Sequence, residues 1–68
     1  MVTNLKMQRT LRGLSQAQLA KKAGVSKRAI ENYEQKVRRI DLATAQVLYR
    51  LATALECTME ALMEHDGD

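Results

Sequence analysis

The stretch "VSKRAI" places Lys27 and Arg28 directly after Ser26, a residue type that caps helix N-termini. Two cations on a first helical turn oppose the helix dipole, at a cost of roughly a few tenths of a kcal/mol each. Asn32 stands four residues after Arg28, on the same helical face, and adds an amide. A trio of two cations and an amide suits recognition of a polyanion rather than bond-making. The plain alternative is a pair of solvated cations, with Lys27 or Arg28 paired to Glu31.

Nothing else in the chain is arranged for catalysis. His65 is the single histidine and Cys57 the single cysteine, and neither has a partner at triad or metal-ligand spacing. Cys57 reads as a small core residue, and no glycine-rich phosphate loop is present. The expectation is therefore no enzyme, no metal and no cofactor.

The elements that must hold "VSKRAI" are helical. Of 68 residues, 46% are apolar and 28% charged, with no proline, three glycines and two tyrosines as the sole aromatics. Ala, Leu, Gln, Lys, Arg and Glu are common, so an all-α domain is predicted. A chain this short forms one domain, residues 1–68, with a modest core.

A first helix is predicted from about Thr3 to Arg12, with Leu5 and Leu11 facing the core and Gly13 closing it. Ser15 with Gln18 forms a capping box. It opens a second helix that buries Leu19, Ala20 and Ala23 and ends at Gly24. Ser26 caps the third, which runs through Ala29, Ile30 and Tyr33 to about Gln35. "KVRRI" reads as a basic loop and Asp41 as an N-cap. A longer helix then places Leu42, Ala45, Leu48, Ala52 and Leu55 on one face. Thr58 opens a last short helix with Met59, Leu62 and Met63 apolar, and "HDGD", residues 65–68, is a frayed end.

The second and third helices meet at a tight turn. Ala20, four residues before Gly24, is small enough for a steep crossing. Gly24 tolerates positive φ, and Ile30, six residues on, can face back into the pair. Together these are the requirements of helix-turn-helix packing.

Charge is segregated along the chain. Residues 1–40 hold ten of the eleven Lys and Arg against only Glu31 and Glu34, a net +8. Residues 41–68 hold Arg50 against six acids, a net −5. The split suggests one face for a polyanion and another for a different partner. No stretch approaches the ~18 apolar residues of a membrane span, and the N-terminus has no long apolar region of a signal peptide. One cysteine forms no internal disulfide and suits a reducing cytoplasm.

"LRGLSQAQLAKKAGVSKRAIENYEQ" followed by "LYRLATALECTMEAL" resembles the Cro and phage-repressor type of helix-turn-helix, the XRE family. The resemblance covers about Leu5 to Met63. It implies a five-helix, lambda-repressor-like all-α domain, with the motif formed by helices 2 and 3, that binds operator double-stranded DNA as a homodimer. The chain departs from the family's usual glycines at Lys36 and Glu56, and no proline follows Lys36.

On that resemblance the first turn of the third helix enters the major groove. Lys27 and Arg28 would donate to guanine O6 and N7, and Asn32 would pair with adenine or hold a phosphate. Gln16 matches a family position that clamps a phosphate at a helix N-terminus, with simple exposure as the alternative. Lys36, Arg38 and Arg39 are backbone anchors, or else a solvated loop. The resemblance pairs Arg9 on helix one with Glu34 at the end of helix three. Glu34 is one of two acids in a basic segment, so a cationic partner is nearly forced.

Two functions follow. One is a transcriptional repressor or regulator; the other is an antitoxin that neutralises a partner protein and autoregulates its operon. Only "EHDGD" is left beyond the last expected helix for binding a toxin, which favours the regulator.

Overall fold

The computed structural model describes residues 2–64. Four α-helices follow one another: α1 (Asn4–Leu11), α2 (Gln16–Ala23), α3 (Lys27–Glu34) and α4 (Ala45–Leu55). Two 3₁₀ turns complete the fold, Ile40–Leu42 before α4 and Glu60–Leu62 after it. The fold is all-α, but the fifth helix of the expected set is only a single 3₁₀ turn. That turn carries Leu62 into the core, where it is fully buried. The frayed end expected at 65–68 lies outside the described residues. No helix among those residues is long and apolar enough to cross a membrane.

Local chemistry starts each α-helix. Thr3, Ser15, Ser26 and Thr44 each accept a hydrogen bond from the backbone N–H three residues on. The capping box at Ser15 and Gln18 is complete, with reciprocal bonds of 3.0 and 2.8 Å. Thr44, not Asp41, caps α4. Asp41 instead sits in the preceding 3₁₀ turn, where its carboxylate accepts from the Glu64 N–H at 2.7 Å and from Arg39 at 3.3 Å.

Leu5, Leu19, Ile30, Leu51, Leu55 and Leu62 are fully buried and form the centre of the core. α2 packs against both α3 and α4, while α1 lies against α3 and the last 3₁₀ turn. Two leucines expected in the core are outside it: Leu11 is 73% exposed and Leu42 79%. Leu11 lies six residues after Leu5, which at ~100° per residue sets it about a third of a turn away. Leu42 precedes the start of α4, so helical spacing does not govern it, and Ile40 takes the buried position. Ala45, also expected inside, is exposed on the first turn of α4.

All four α-helices end through left-handed residues, α2 at Gly24. At the ends of α1, α3 and α4 the residues at φ +69°, +60° and +55° are Gly13, Lys36 and Glu56. In α3 the Lys36 N–H donates to the Tyr33 carbonyl and the Val37 N–H to the Asn32 carbonyl, at 3.2 and 2.9 Å. In α4 the Glu56 and Cys57 N–H groups donate to the Thr53 and Ala52 carbonyls, at 3.2 and 3.0 Å. Both are Schellman closures, a motif that normally uses glycine.

α1 is bolted to α3 by Arg9 and Glu34. Arg9 Nε donates to Glu34 Oε2 at 2.7 Å and Nη2 to Oε1 at 3.0 Å, while Nη1 donates to the Leu14 carbonyl at 2.8 Å. The side chains are only 11% and 4% exposed. The hydrogen bonds that Arg9 donates to Glu34 raise its guanidinium above its ordinary pKa, against the opposing pull of burial.

Two stability outcomes are expected. Lys36→Gly and Glu56→Gly should each stabilise by roughly 0.5–1 kcal/mol, net of the flexibility glycine gives the unfolded chain. Thermal unfolding reads this as a midpoint a few degrees higher, and Gln35→Gly, at φ −88°, should lower it. Arg9→Ala should cost about 3–5 kcal/mol, because Glu34 is left buried without its cation. An unchanged midpoint for that variant would contradict the account of the pair.

Candidate nucleic-acid interface

α3 divides its surface sharply. Ile30 and Tyr33 are buried, at 0% and 7% exposure, and Ala29 packs partly against the core. Lys27 and Arg28 are exposed at its start, and Asn32 is half-buried one turn further on. The apolar residues fix how α3 rolls on α2, and the roll decides which side chains point outward. Gly24, at φ +71°, makes the turn between the helices without strain. Arg50 of α4 fastens that turn by donating from Nη1 to the Gly24 carbonyl at 3.2 Å.

Lys27 Nζ lies 3.7 Å from Glu31 Oε2, one turn along α3. An exposed pair of this kind contributes little and yields readily to a stronger anion. Arg28 has no protein partner among the described residues. Its guanidinium is thus uncommitted, while the Ser26 hydroxyl accepts from the Ala29 N–H at 3.1 Å and holds the turn beneath it. Gln35 is exposed seven residues after Arg28 and so shares its face. Gln35 is outside the set expected from sequence, and its seven-residue spacing from Arg28 is the signal that marks it.

The loop after α3 is tied to the helix rather than draped over it. The Asn32 carbonyl accepts from both the Val37 and the Arg38 N–H, at 2.9 and 3.2 Å. Lys36 is exposed at the left-handed position. The Arg38 guanidinium stands 6.0 Å from the centre of the Tyr33 ring, at the outer limit of a cation–π contact. Arg39 Nη2 reaches Asp41 Oδ2 at 3.3 Å. These three cations therefore hang from the C-terminal end of α3, in a fixed relation to Arg28 and Asn32.

Gln16 opens α2 and is half-buried. Its Nε2 donates to Glu34 Oε1 at 3.0 Å, which joins it to the Arg9–Glu34 pair. The start of α2, the end of α3 and the last turn of α1 thus meet at one carboxylate.

The remaining chemistry is sparse. Among the described residues no His, Cys, Asp and Glu come together in a group that could hold a metal ion. Cys57 packs partly against the core. Burial pushes its thiol above the ordinary value, and the nearby Arg12 charge acts the other way.

Comparison with known proteins bears on this arrangement. A family model described as helix-turn-helix matches residues 5–62. The fold is similar to the N-terminal DNA-binding domain of SinR from Bacillus subtilis, with a TM-score of 0.79 and 25% identity. That likeness covers 94% of this chain and 90% of that one. No curated protein sequence matches the chain. With the match spanning nearly every described residue, the protein belongs to the helix-turn-helix family of the XRE type.

Proposed function

We propose that this protein is a sequence-specific DNA-binding transcriptional regulator, acting as a repressor in the cytoplasm. One observation carries the reading: α3 commits its apolar face to the core and turns Lys27, Arg28 and Asn32 outward at the helix-turn-helix corner. Such a face suits the major groove, where guanine offers O6 and N7 to Lys or Arg and adenine offers N6 and N7 to Asn. Opposed to a polyanion, the two cations recover more than the dipole term they forfeit.

Gln16, Lys36, Arg38 and Arg39 take the phosphates on either side of that helix. They set register without reading sequence. The likeness to the DNA-binding domain of SinR supports the same assignment here. A single module of this size covers too little DNA for tight specific binding. A homodimer on a near-palindromic site, with half-sites about one helical turn apart, supplies the rest.

Two measurements test the reading. Affinity for duplex DNA should fall steeply with salt. If three phosphates are neutralised, the loss between 50 and 200 mM is about fortyfold; a flat response would remove the nucleic-acid role. Selection from a random-sequence library should then separate readers from anchors. Arg28→Ala should lose ~1–3 kcal/mol of discrimination at one base position. Arg38→Ala should weaken all sequences about equally. Undiminished preference with Arg28→Ala would mean that α3 is not the reader.

A further inference from the structure

Glu34 raises a problem that its pairing with Arg9 does not answer. A carboxylate beside a surface meant for DNA repels phosphate. Arg9 removes the net charge by a two-point contact, yet one acceptor position on Oε1 remains, and Gln16 Nε2 fills it at 3.0 Å. Glu34 is 4% exposed at its side chain, so this bond is made within the protein rather than in competition with bulk water.

The chemistry of the two groups fixes a direction. An ionised carboxylate only accepts, whereas an amide has an accepting oxygen and a nitrogen with two hydrogens. Facing Glu34, the Gln16 amide must present its nitrogen. One N–H is spent there, and the amide plane then fixes where the second N–H and the oxygen point. A free glutamine would sample both faces and several rotamers, and ordering such a side chain on binding costs conformational entropy.

We infer that Glu34 is a positioning residue for a DNA phosphate: it holds the Gln16 amide nitrogen so that the second N–H is already aimed outward before DNA arrives. Arg9 makes this tolerable by cancelling the charge of Glu34. The pair that bolts α1 to α3 therefore also tunes the first residue of α2. The inference rests on the phosphate role of Gln16 in the reading above, and the phosphate oxygen is the acceptor it serves.

A double-mutant cycle separates this from a purely structural role. Gln16→Ala is compared in the parent and in an Arg9→Leu/Glu34→Leu background, where apolar side chains replace the whole ion pair. Such replacements are tolerated far better than removal of one partner. The probe is one duplex selected by the parent, at fixed salt. In the parent, Gln16→Ala should weaken binding about tenfold, the scale of one hydrogen bond to a charged group. In the apolar background the loss should be under about twofold, with base preference unchanged in both. Equal losses in the two backgrounds would show that Glu34 only supports the fold. No loss in the parent would remove Gln16 as a phosphate ligand. A parent that binds no duplex would sink the DNA reading itself, a result distinct from either.

A second measurement needs no variant. In the free protein, the Gln16 side-chain amide should be rigid and slow to exchange by NMR, unlike that of exposed Gln46 on α4. Equal mobility of the two amides would overturn the proposal even if the apolar pair failed to fold.

Discussion

One carboxylate organises this domain. Glu34 receives two hydrogen bonds from Arg9 and one from Gln16. Three helices that share little other polar contact are thereby set against each other at a single point. A hydrophobic core alone would allow small rotations of α1 and α3, because apolar packing has weak directional preference. A two-point guanidinium–carboxylate contact does not, since both bonds must stay in one plane. The outward direction of α3 is thus set by electrostatics on one flank and by Ile30 and Tyr33 on the other.

The helices were legible because their signals are local. A hydroxyl residue three positions before a backbone N–H, a small residue at a crossing and a glycine at a turn all act within one or two turns of chain. Lys27, Arg28 and Asn32 were placed on one face for the same reason. What the sequence hid depends on distant partners. Nothing near Asp41 indicates that its carboxylate will accept from Glu64 rather than cap α4. Nothing near Leu42 shows that Ile40 will take the buried place. Gln16 could be assigned to a phosphate by position, but its bond to Glu34 spans 18 residues and appears only in three dimensions.

Lys36 and Glu56 mark where local preference and global need conflict. Each stands at a left-handed position that glycine would fill without strain, and each still adopts that conformation. The reason is the hydrogen bonding that closes the helix: turning the backbone elsewhere would leave carbonyls of α3 and α4 unpaired. Loop path is therefore decided by the helix ends, and the side chain at the corner is free to be cationic. At Lys36 that freedom adds a charge beside α3 where glycine would offer none.

The two ends of the fold are joined. The Asn4 N–H donates to Glu64 Oε2 at 2.6 Å, and Asn4 Nδ2 donates to the Met63 carbonyl at 2.7 Å. The first turn of α1 and residues 63–64 therefore lie together at one place. A unit of this topology can be spliced into another polypeptide, or cut and rejoined at a new point, with little distortion of its interior.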